Sequence, residues 1–174
     1  PTAGERSDYE VARQRFLEHE RELLRTRDLP AATEDGVTLR MAGNIEFAEE
    51  VPSLLNHGGE AVGLYRTEFP FLTYREFPDE EEQYQLYARV VRGMEGRPVT
   101  IRTLDGGADK SPSYLHLARE ANPFLGWRSI RVCLDEPGLF RPQLRAILRA
   151  AADRDAHRHR GDRCHRMPAA IHVD

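Results

Sequence analysis

The amino-acid sequence predicts an α/β fold built around a parallel sheet. From residue 37 to residue 151, segments with the character of β-strands alternate with segments that have helical periodicity. Such alternation is typical of βα units, whose successive strands run parallel in an open sheet or in a closed barrel. Three successive strand segments also end in polar or charged residues. Because ligands bind beyond the carboxyl ends of the strands in both architectures, we expect the functional residues at that edge.

An amphipathic helix is predicted ahead of the sheet, at residues 7–29. Ser7 and Glu10 have the spacing of a capping box at its start, and Pro30 ends it. Four apolar residues recur on one stripe of this helix: Tyr9, Ala12, Phe16 and Leu23. We assign residues 1–35 to this N-terminal linker helix.

Three strand segments follow, and each finishes in polar residues. They are VTLRMAGNI at residues 37–45, AVGLYRTEF at 61–69 and PVTIRTLD at 98–105. Five polar residues fall where these strands stop: Asn44, Arg66, Glu68, Arg102 and Asp105. Both Arg66 and Arg102 are followed by threonine, and in a parallel sheet their guanidinium groups are expected to converge on one site.

Two helical segments have strong signals. Residues 77–98 place Pro78 near the first turn and acidic residues 79–82 at the positive end of the helix dipole. The apolar face of this helix comprises Tyr84, Tyr87, Val91 and Met94. In residues 137–151 the spacing predicts a second buried face, formed by Phe140, Leu144, Ile147, Leu148 and Ala151.

Converging arginines indicate a site for phosphate or carboxylate. The guanidinium group is planar and permanently charged, and it can bind anionic oxygens through two hydrogen bonds. In the loop after the third strand, Lys110 adds a point charge, and Asp105 and Asp109 orient the basic groups. The alternative is that each arginine is solvated or paired with a neighbouring carboxylate, as single arginines at strand ends mostly are.

Charge and cysteine content exclude several classes of protein. The chain has 25 Lys+Arg and 29 Asp+Glu, a formal net charge of -4, which gives no electrostatic basis for binding nucleic acid or an anionic membrane. Cys133 and Cys164 form no C-x-x-C pair, as expected of a reduced protein, and Cys133 lies in an apolar segment typical of a core. Since the chain has no apolar run long enough to span a membrane and no signal core, we expect a cytoplasmic location.

Residues 152–174 form an Arg/His-rich tail without apolar periodicity. Five residues of the tail are of types that bind zinc: His157, His159, Cys164, His165 and His172. Their spacing fits no standard zinc site, so we predict a disordered, solvated tail.

Four runs of sequence carry a family resemblance: GLYRTEF, TIRTLDGGADK, NPFLGWRSIR and QLRAILRAA. In this order and spacing they resemble the phosphoenolpyruvate-binding domain of the Enzyme I family of the bacterial phosphotransferase system, over residues 9–151. The resemblance implies a (β/α)8 TIM-type barrel, of which residues 36–151 would be the first βα units in truncated form. It also implies a Mg2+-dependent enzyme that transfers the phosphoryl group of phosphoenolpyruvate to a histidine and onward to a phosphocarrier protein serving sugar transport. The family forms homodimers.

The resemblance assigns substrate-binding residues motif by motif. Arg66 in RTEF, Arg102 in RTLD and Arg128 in GWR correspond to phosphate ligands. Lys110 in the DK pair is a further candidate, and Asn44 would line the floor of the site. The catalytic histidine and cysteine of the family and its acidic Mg2+ ligands have no counterpart here, so we assign no catalytic or metal-binding residue in this chain.

Three departures from the family pattern bear on activity. The glycines of LDGGADK stand one place earlier than in the family's LDIGGDK, and Pro70 replaces an apolar residue after RTEF, where it would bend the chain. After residue 151 the family continues into RIMLPMI and the later barrel units, which this chain does not contain. We therefore expect the isolated chain to bind phosphoenolpyruvate weakly and to be incompetent for transfer. Two alternatives are a non-catalytic interaction fragment and a relative of pyruvate phosphate dikinase or phosphoenolpyruvate synthase, which share the barrel and its arginines.

Overall fold

The computed structural model describes residues 1–105, 128–158 and 170–172, with side chains described for residues 1–105 and 128–153. The elements in this part of the chain are α1 (Ala3–Leu24), β1 (Ala42–Ile45), α2 (Val51–Asn56), β2 (Ala61–Tyr65), α3 (Glu68–Phe71), α4 (Glu80–Gly93), β3 (Val99–Arg102), α5 (Ile130–Asp135), α6 (Pro137–Arg158) and β4 (Ala170–His172). A 3-10 turn at Ala48–Glu50 leads directly into α2.

The strands form one parallel sheet in the order β1-β2-β3-β4. Each strand pairs with the next one along the chain, and the first three are connected through helices. Parallel neighbours need such crossover connections, because a tight turn joins only antiparallel strands. The predicted α/β fold with a parallel sheet is confirmed.

The core lies between the sheet and the helices α4 and α6. One row of paired residues crosses three strands, in which Tyr65 lies beside Ile45 on one side and beside Ile101 on the other. These three side chains are buried together with Tyr87 of α4 and Ile147 of α6. Full burial of one such side chain contributes about 1.5–3 kcal/mol, so this layer supplies much of the stability that positions the strand ends.

Helix α4 begins and packs as its sequence predicts. Asp79 is the N-cap and forms a capping box with Glu82, whose backbone N–H donates to the Asp79 carboxylate over 2.8 Å. On the predicted face, Tyr87, Val91 and Met94 are buried, and Tyr84 is half-buried. The Tyr84 hydroxyl donates to Asp153 of α6 over 2.6 Å, which joins the outer edges of the two helices.

The buried face of helix α6 is shifted from the predicted one: Ile147 is buried and Phe140 packs against the core as predicted, but Leu148 does not. Leu148 is 61% exposed, whereas Ala146, Ile147 and Ala150 are buried, as is the polar residue Gln143. The small alanines let α6 lie close to α4, and Arg149 turns outward to contact Glu80 over 3.0 Å and Glu81. The prediction of Leu148 as a core residue was therefore wrong. Apolar periodicity selects large apolar residues such as leucine and gives no weight to a buried polar residue such as Gln143.

Helix α1 starts earlier than predicted and buries no residue. Thr2 is its N-cap in a capping box with Glu5, which places Ser7 inside the helix. The predicted apolar stripe lies on the surface, with Tyr9 and Phe16 each 65% exposed. Across the described residues, no helix has the combination of length and apolar character that crossing a membrane requires.

The strands are shorter than their sequence segments. In the segment 37–45 only the last four residues belong to β1, while Thr38 forms an isolated antiparallel bridge with Ala32. In the segment 61–69, β2 ends at Tyr65 and the chain turns into the short helix α3, which contains Pro70. Proline fits an early helical position because it has no N–H to donate there.

The segment predicted as a disordered tail differs from the structure at two places. Helix α6 continues through Arg158, and β4 pairs in parallel with β3. A strand at the edge of a sheet has unpaired backbone groups, and β4 satisfies those of β3. Residues 159–169 and 173–174 lie outside the described part of the chain.

Candidate functional site

The carboxyl edge of the sheet places charged residues in one row. The paired row of Ile45, Tyr65 and Ile101 is followed on each strand by a charged residue, so Glu46, Arg66 and Arg102 occupy neighbouring positions. Adjacent strands lie about 4.8 Å apart, which brings the backbones of the two arginines close together. Because side chains alternate along a strand, this row is on the sheet face opposite the core.

Arg102 is held at the end of β3 by two carboxylates. Its Nη2 donates to Glu68 Oε1 of α3 and lies 3.4 Å from Asp105 Oδ2. The exposed fractions of the side chains are 15% for Arg102, 8% for Glu68 and 13% for Asp105. Burial raises the pKa of Glu68, although its own backbone N–H and the nearby Arg102 charge act in the opposite direction. These contacts fix the direction of the Arg102 guanidinium.

Arg128 joins the same cluster from a separate part of the chain. Its Nη2 donates to the two carboxylate oxygens of Asp105 over 2.9 and 3.1 Å, and its Nε donates to Oδ1 over 3.2 Å. The Ser129 hydroxyl donates to the same carboxylate. Burial alone would raise the pKa of Asp105, but the hydrogen bonds from Ser129 and Arg128 and the arginine charges hold that pKa below its ordinary value. Asp105 therefore joins Arg102 to Arg128, and we name these two arginines with Glu68 and Asp105 the paired-arginine cluster.

Arg66 has a carboxylate partner outside the paired-arginine cluster. Its Nη1 donates to Glu46 Oε1 over 2.9 Å, and the two side chains are 38% and 34% exposed. The Arg66 backbone N–H donates to the Ile45 carbonyl oxygen over 3.0 Å and extends the β1–β2 ladder by one bond. The backbone of Arg66 is thus fixed at the strand end, while its side chain is the most solvated of the three predicted phosphate ligands.

The remaining two predicted site residues have different outcomes. Asn44 is exposed on β1, opposite Leu64 of β2, and its side-chain oxygen approaches the position that a Cβ on Gly63 would occupy within 3.2 Å. It precedes Ile45 in the strand and therefore lies on the same sheet face as the charged row. Lys110 and the glycine loop lie outside the described residues, as does Asp109.

A residue that is not among the predicted site residues connects these strand ends. Gln143 is buried in α6, and its Oε1 accepts a hydrogen bond from the Leu104 backbone N–H over 2.9 Å. Its Nε2 donates to Thr67 Oγ1 over 3.3 Å, and Thr67 in turn donates to the Arg102 carbonyl oxygen over 3.0 Å. The available signal was a glutamine four residues before Ile147, on the buried stripe of an otherwise apolar helix face.

A comparison with protein families identifies the family of this chain. Residues 20–159 match the family model described as PEP-utilising enzyme, PEP-binding domain. The chain belongs to this family. The resemblance drawn from the arginine motifs is thereby confirmed, since the matched residues include both strand ends and helix α6.

Curated relatives of this PEP-binding domain have one name in common. The phosphoenolpyruvate-protein phosphotransferase of Staphylococcus epidermidis is 46% identical over 151 residues, which is 87% of this chain and 26% of that protein. The proteins of the same name from Staphylococcus carnosus and Latilactobacillus sakei are 46% and 43% identical, over 83% and 87% of this chain. The chain thus spans about a quarter of the length of these relatives, 25% and 26% in the latter two.

The PEP-binding domain offers fixed cations at this edge, and the residues that the structure describes offer no metal site. No group of three or more His, Cys, Asp or Glu residues among them is arranged to hold a metal ion. Among the tail residues whose types can bind zinc, His159, Cys164 and His165 lie outside the described part of the chain. Cys133 is 2% exposed in the core, as predicted, and burial raises the pKa of its thiol to about 11. Arginine is therefore the chemistry that the described site provides.

Proposed function

We propose that this chain carries part of the phosphoenolpyruvate site of a phosphoenolpyruvate-protein phosphotransferase. The observation that carries the proposal is the meeting of Arg102 and Arg128, from separate segments, on the single carboxylate of Asp105. Arg66 follows the neighbouring strand in the same row as Arg102. The name of the relatives that are 43–46% identical to most of this chain supports this choice of substrate.

The residues would act through position and charge. In phosphoryl transfer the transferring oxygens carry spread negative charge, and catalysis depends mainly on holding them in place and neutralising them. Arg102 and Arg128 are suited to this role because their side chains are only 15% and 19% exposed and are already oriented by carboxylates. The phosphoryl group would then pass to a histidine elsewhere in the protein, and from there to a phosphocarrier protein of a sugar-uptake system.

Arg66 would complete the site from the neighbouring strand. Its pair with Glu46 is about one-third exposed, so the guanidinium can turn from the carboxylate to a phosphate oxygen at small cost. Asn44 lies one residue before Ile45, on the sheet face of the charged row, and would line the floor of the site. Lys110 stays a prediction from its motif.

The architecture proposed for the whole protein is a TIM-type barrel, of which this sheet would be the first part. Neighbouring parallel strands in chain order, with helical crossovers from β1 to β2 and from β2 to β3, are the pattern that such a barrel repeats. Mg2+ would neutralise phosphate oxygens in the complete site, but the described residues do not form a site for it. We propose that its ligands lie elsewhere, and that the whole protein is a cytoplasmic homodimer.

Titration with phosphoenolpyruvate tests the proposal directly. We expect weak binding to this chain by calorimetry, and a loss of about 2–4 kcal/mol, or roughly 30- to 1000-fold in affinity, in Arg66→Ala. Arg97→Ala is the matched control, because Arg97 is also surface-exposed and ion-paired, with Glu95 over 3.4 Å. Unchanged binding by Arg66→Ala would remove Arg66 from the site. Pyruvate release with turnover by the isolated chain would contradict the expectation that it is incompetent for transfer.

A non-catalytic interaction fragment is the second candidate function. The observation that favours it is that Arg66, Arg102 and Arg128 each have a carboxylate partner within the chain. If these ion pairs are purely structural, phosphoenolpyruvate should leave the midpoint of thermal unfolding unchanged at any concentration. A concentration-dependent rise in that midpoint, absent with pyruvate, would exclude this candidate.

A further inference from the structure

We propose that Gln143 is a positioning residue that holds the ends of β2 and β3 at a fixed separation and so sets the distance between Arg66 and Arg102. This inference rests on the proposed function of the two arginines as phosphate ligands. Gln143 belongs to the run QLRAILRAA, whose role in the sequence analysis was limited to an apolar helix face.

The carboxamide of Gln143 contacts both strand ends. Its Oε1 accepts from the backbone N–H of Leu104, two residues after Arg102, over 2.9 Å. Its Nε2 donates over 3.3 Å to the hydroxyl of Thr67, the residue directly after Arg66. One side chain from α6 therefore bridges the two turns that carry the arginines.

A second bond closes the bridge. The Thr67 hydroxyl donates to the carbonyl oxygen of Arg102 over 3.0 Å, so Thr67 receives one hydrogen bond from Gln143 and gives one to the backbone of β3. Thr67 and Gln143 are both 0% exposed. Because both side chains are buried, these hydrogen bonds satisfy polar groups that would otherwise be unpaired, and they constrain the spacing of the two turns.

The chemistry requires an amide at position 143. A carboxamide accepts from the Leu104 N–H and donates to Thr67 at the same time. A methionine of similar volume would leave a buried backbone donor unsatisfied. A carboxylate could accept from Leu104 but, when ionised, has no proton to donate to Thr67.

The structure contains a matched control for the stability effect alone. Gln83 of α4 is, like Gln143, 0% exposed. Both glutamines contact the Tyr87 hydroxyl, which donates to Gln83 Oε1 over 3.1 Å and accepts from Gln143 Nε2 over 3.2 Å. The other bond of Gln83 goes to the Pro78 carbonyl oxygen, at the start of α4 and away from the arginine turns. Loss of either glutamine should therefore destabilise the fold, but only loss of Gln143 should disturb the strand ends.

The experiment compares Gln143→Met with Gln83→Met in the full 174-residue chain. Under conditions where both variants remain folded, we expect Gln143→Met to bind phosphoenolpyruvate about 10- to 100-fold more weakly by calorimetry, and Gln83→Met to bind as the parent chain does. Equal affinity of the two variants would overturn the positioning role. If Gln143→Met does not fold, Thr67→Val removes the same bridge, and unchanged affinity in that variant would overturn the proposal equally.

A spectroscopic measurement separates failure of this inference from failure of the proposed function. Nuclear magnetic resonance reports the Leu104 amide and the Arg66 and Arg102 side-chain Nε–H signals without any ligand. We expect Gln143→Met, and not Gln83→Met, to shift all three. If the parent chain binds no phosphoenolpyruvate, the proposed function fails, and the positioning role still stands or falls on these shifts. Unmoved arginine signals in Gln143→Met would refute it.

Discussion

Replacing Asp105 by asparagine tests the organisation of the paired-arginine cluster. The substitution keeps the shape of the side chain and removes the negative charge with which both Arg102 and Arg128 pair. The carboxylate is only 13% exposed and accepts from Arg128 over 2.9 and 3.1 Å and from Ser129. Loss of one partner from a buried ion pair costs about 3–5 kcal/mol, and the amide oxygen retains part of the hydrogen bonding. We therefore expect the free energy of unfolding to fall by about 3 kcal/mol.

Urea unfolding at a series of pH values measures this effect and its sign. The pKa of Asp105 is lowered in the folded protein, so its contribution to stability is fully present above the ordinary aspartate pKa of about 3.9 and is lost as the pH falls through the folded pKa. The difference between the parent chain and Asp105→Asn should accordingly shrink in acid.

The control for Asp105→Asn is Asp28→Asn, which breaks an ion pair in water. Asp28 is 83% exposed and pairs with Arg27 over 3.2 Å, so its replacement should change the unfolding free energy by less than about 1 kcal/mol. If Asp105→Asn is as mild as Asp28→Asn, or if its effect does not depend on pH, the cluster is not a buried charge network and the reasoning about its fixed arginines is wrong.

Three further substitutions test the fold around the site. Ile147→Ala should lower the unfolding free energy by about 3 kcal/mol in urea unfolding, against less than about 0.5 kcal/mol for the exposed Leu148→Ala, and equal losses would contradict the observed face of α6. Gly58→Ala should cost at least about 1 kcal/mol more than Gly36→Ala, because both have positive φ but only a Cβ on Gly58 meets a backbone oxygen, at 2.6 Å. Because the pKa of Glu68 is raised in the folded protein, its contribution to the free energy of unfolding is fully present below the ordinary glutamate pKa of about 4.3. That contribution is lost as the pH rises through the folded pKa. Urea unfolding of Glu68→Gln should therefore lack this pH dependence.

Much of the fold could be predicted because its signals are local. Proline and acidic residues at the start of α4, followed by apolar residues at helical spacing, gave the position of that helix and its buried residues Tyr87, Val91 and Met94. The alternation of strand and helix segments in the sequence predicted the parallel sheet. The start of α1 was missed because two capping sequences compete there, and Thr2 with Glu5 forms the cap ahead of Ser7.

The arginines of the candidate site can be recognised in the sequence, but the contacts that hold them in place cannot. Arg66 and Arg102 are visible in sequence because each follows a strand and precedes threonine. The role of that threonine depends on contacts between residues far apart in sequence, such as Thr67 with Gln143, and periodicity carries no information about them. The same holds for Asp105, which was assigned to orienting basic groups but whose bond to Arg128 spans 23 positions of the chain.

Anion binding and ion pairing are alternative roles for an arginine at a strand end, but the arginines at this edge can serve both. Two guanidinium groups beside one another at a partly buried edge would repel and destabilise the fold. Glu46, Glu68 and Asp105 supply one negative charge for each arginine, so residues of the chain itself balance the charge at this edge. Groups held in this way have already lost their side-chain entropy before an anion arrives, and that preorganisation favours binding. Ion pairing of the arginines is therefore compatible with a phosphate site as well as with the purely structural role of the second candidate function, and ligand binding decides between them.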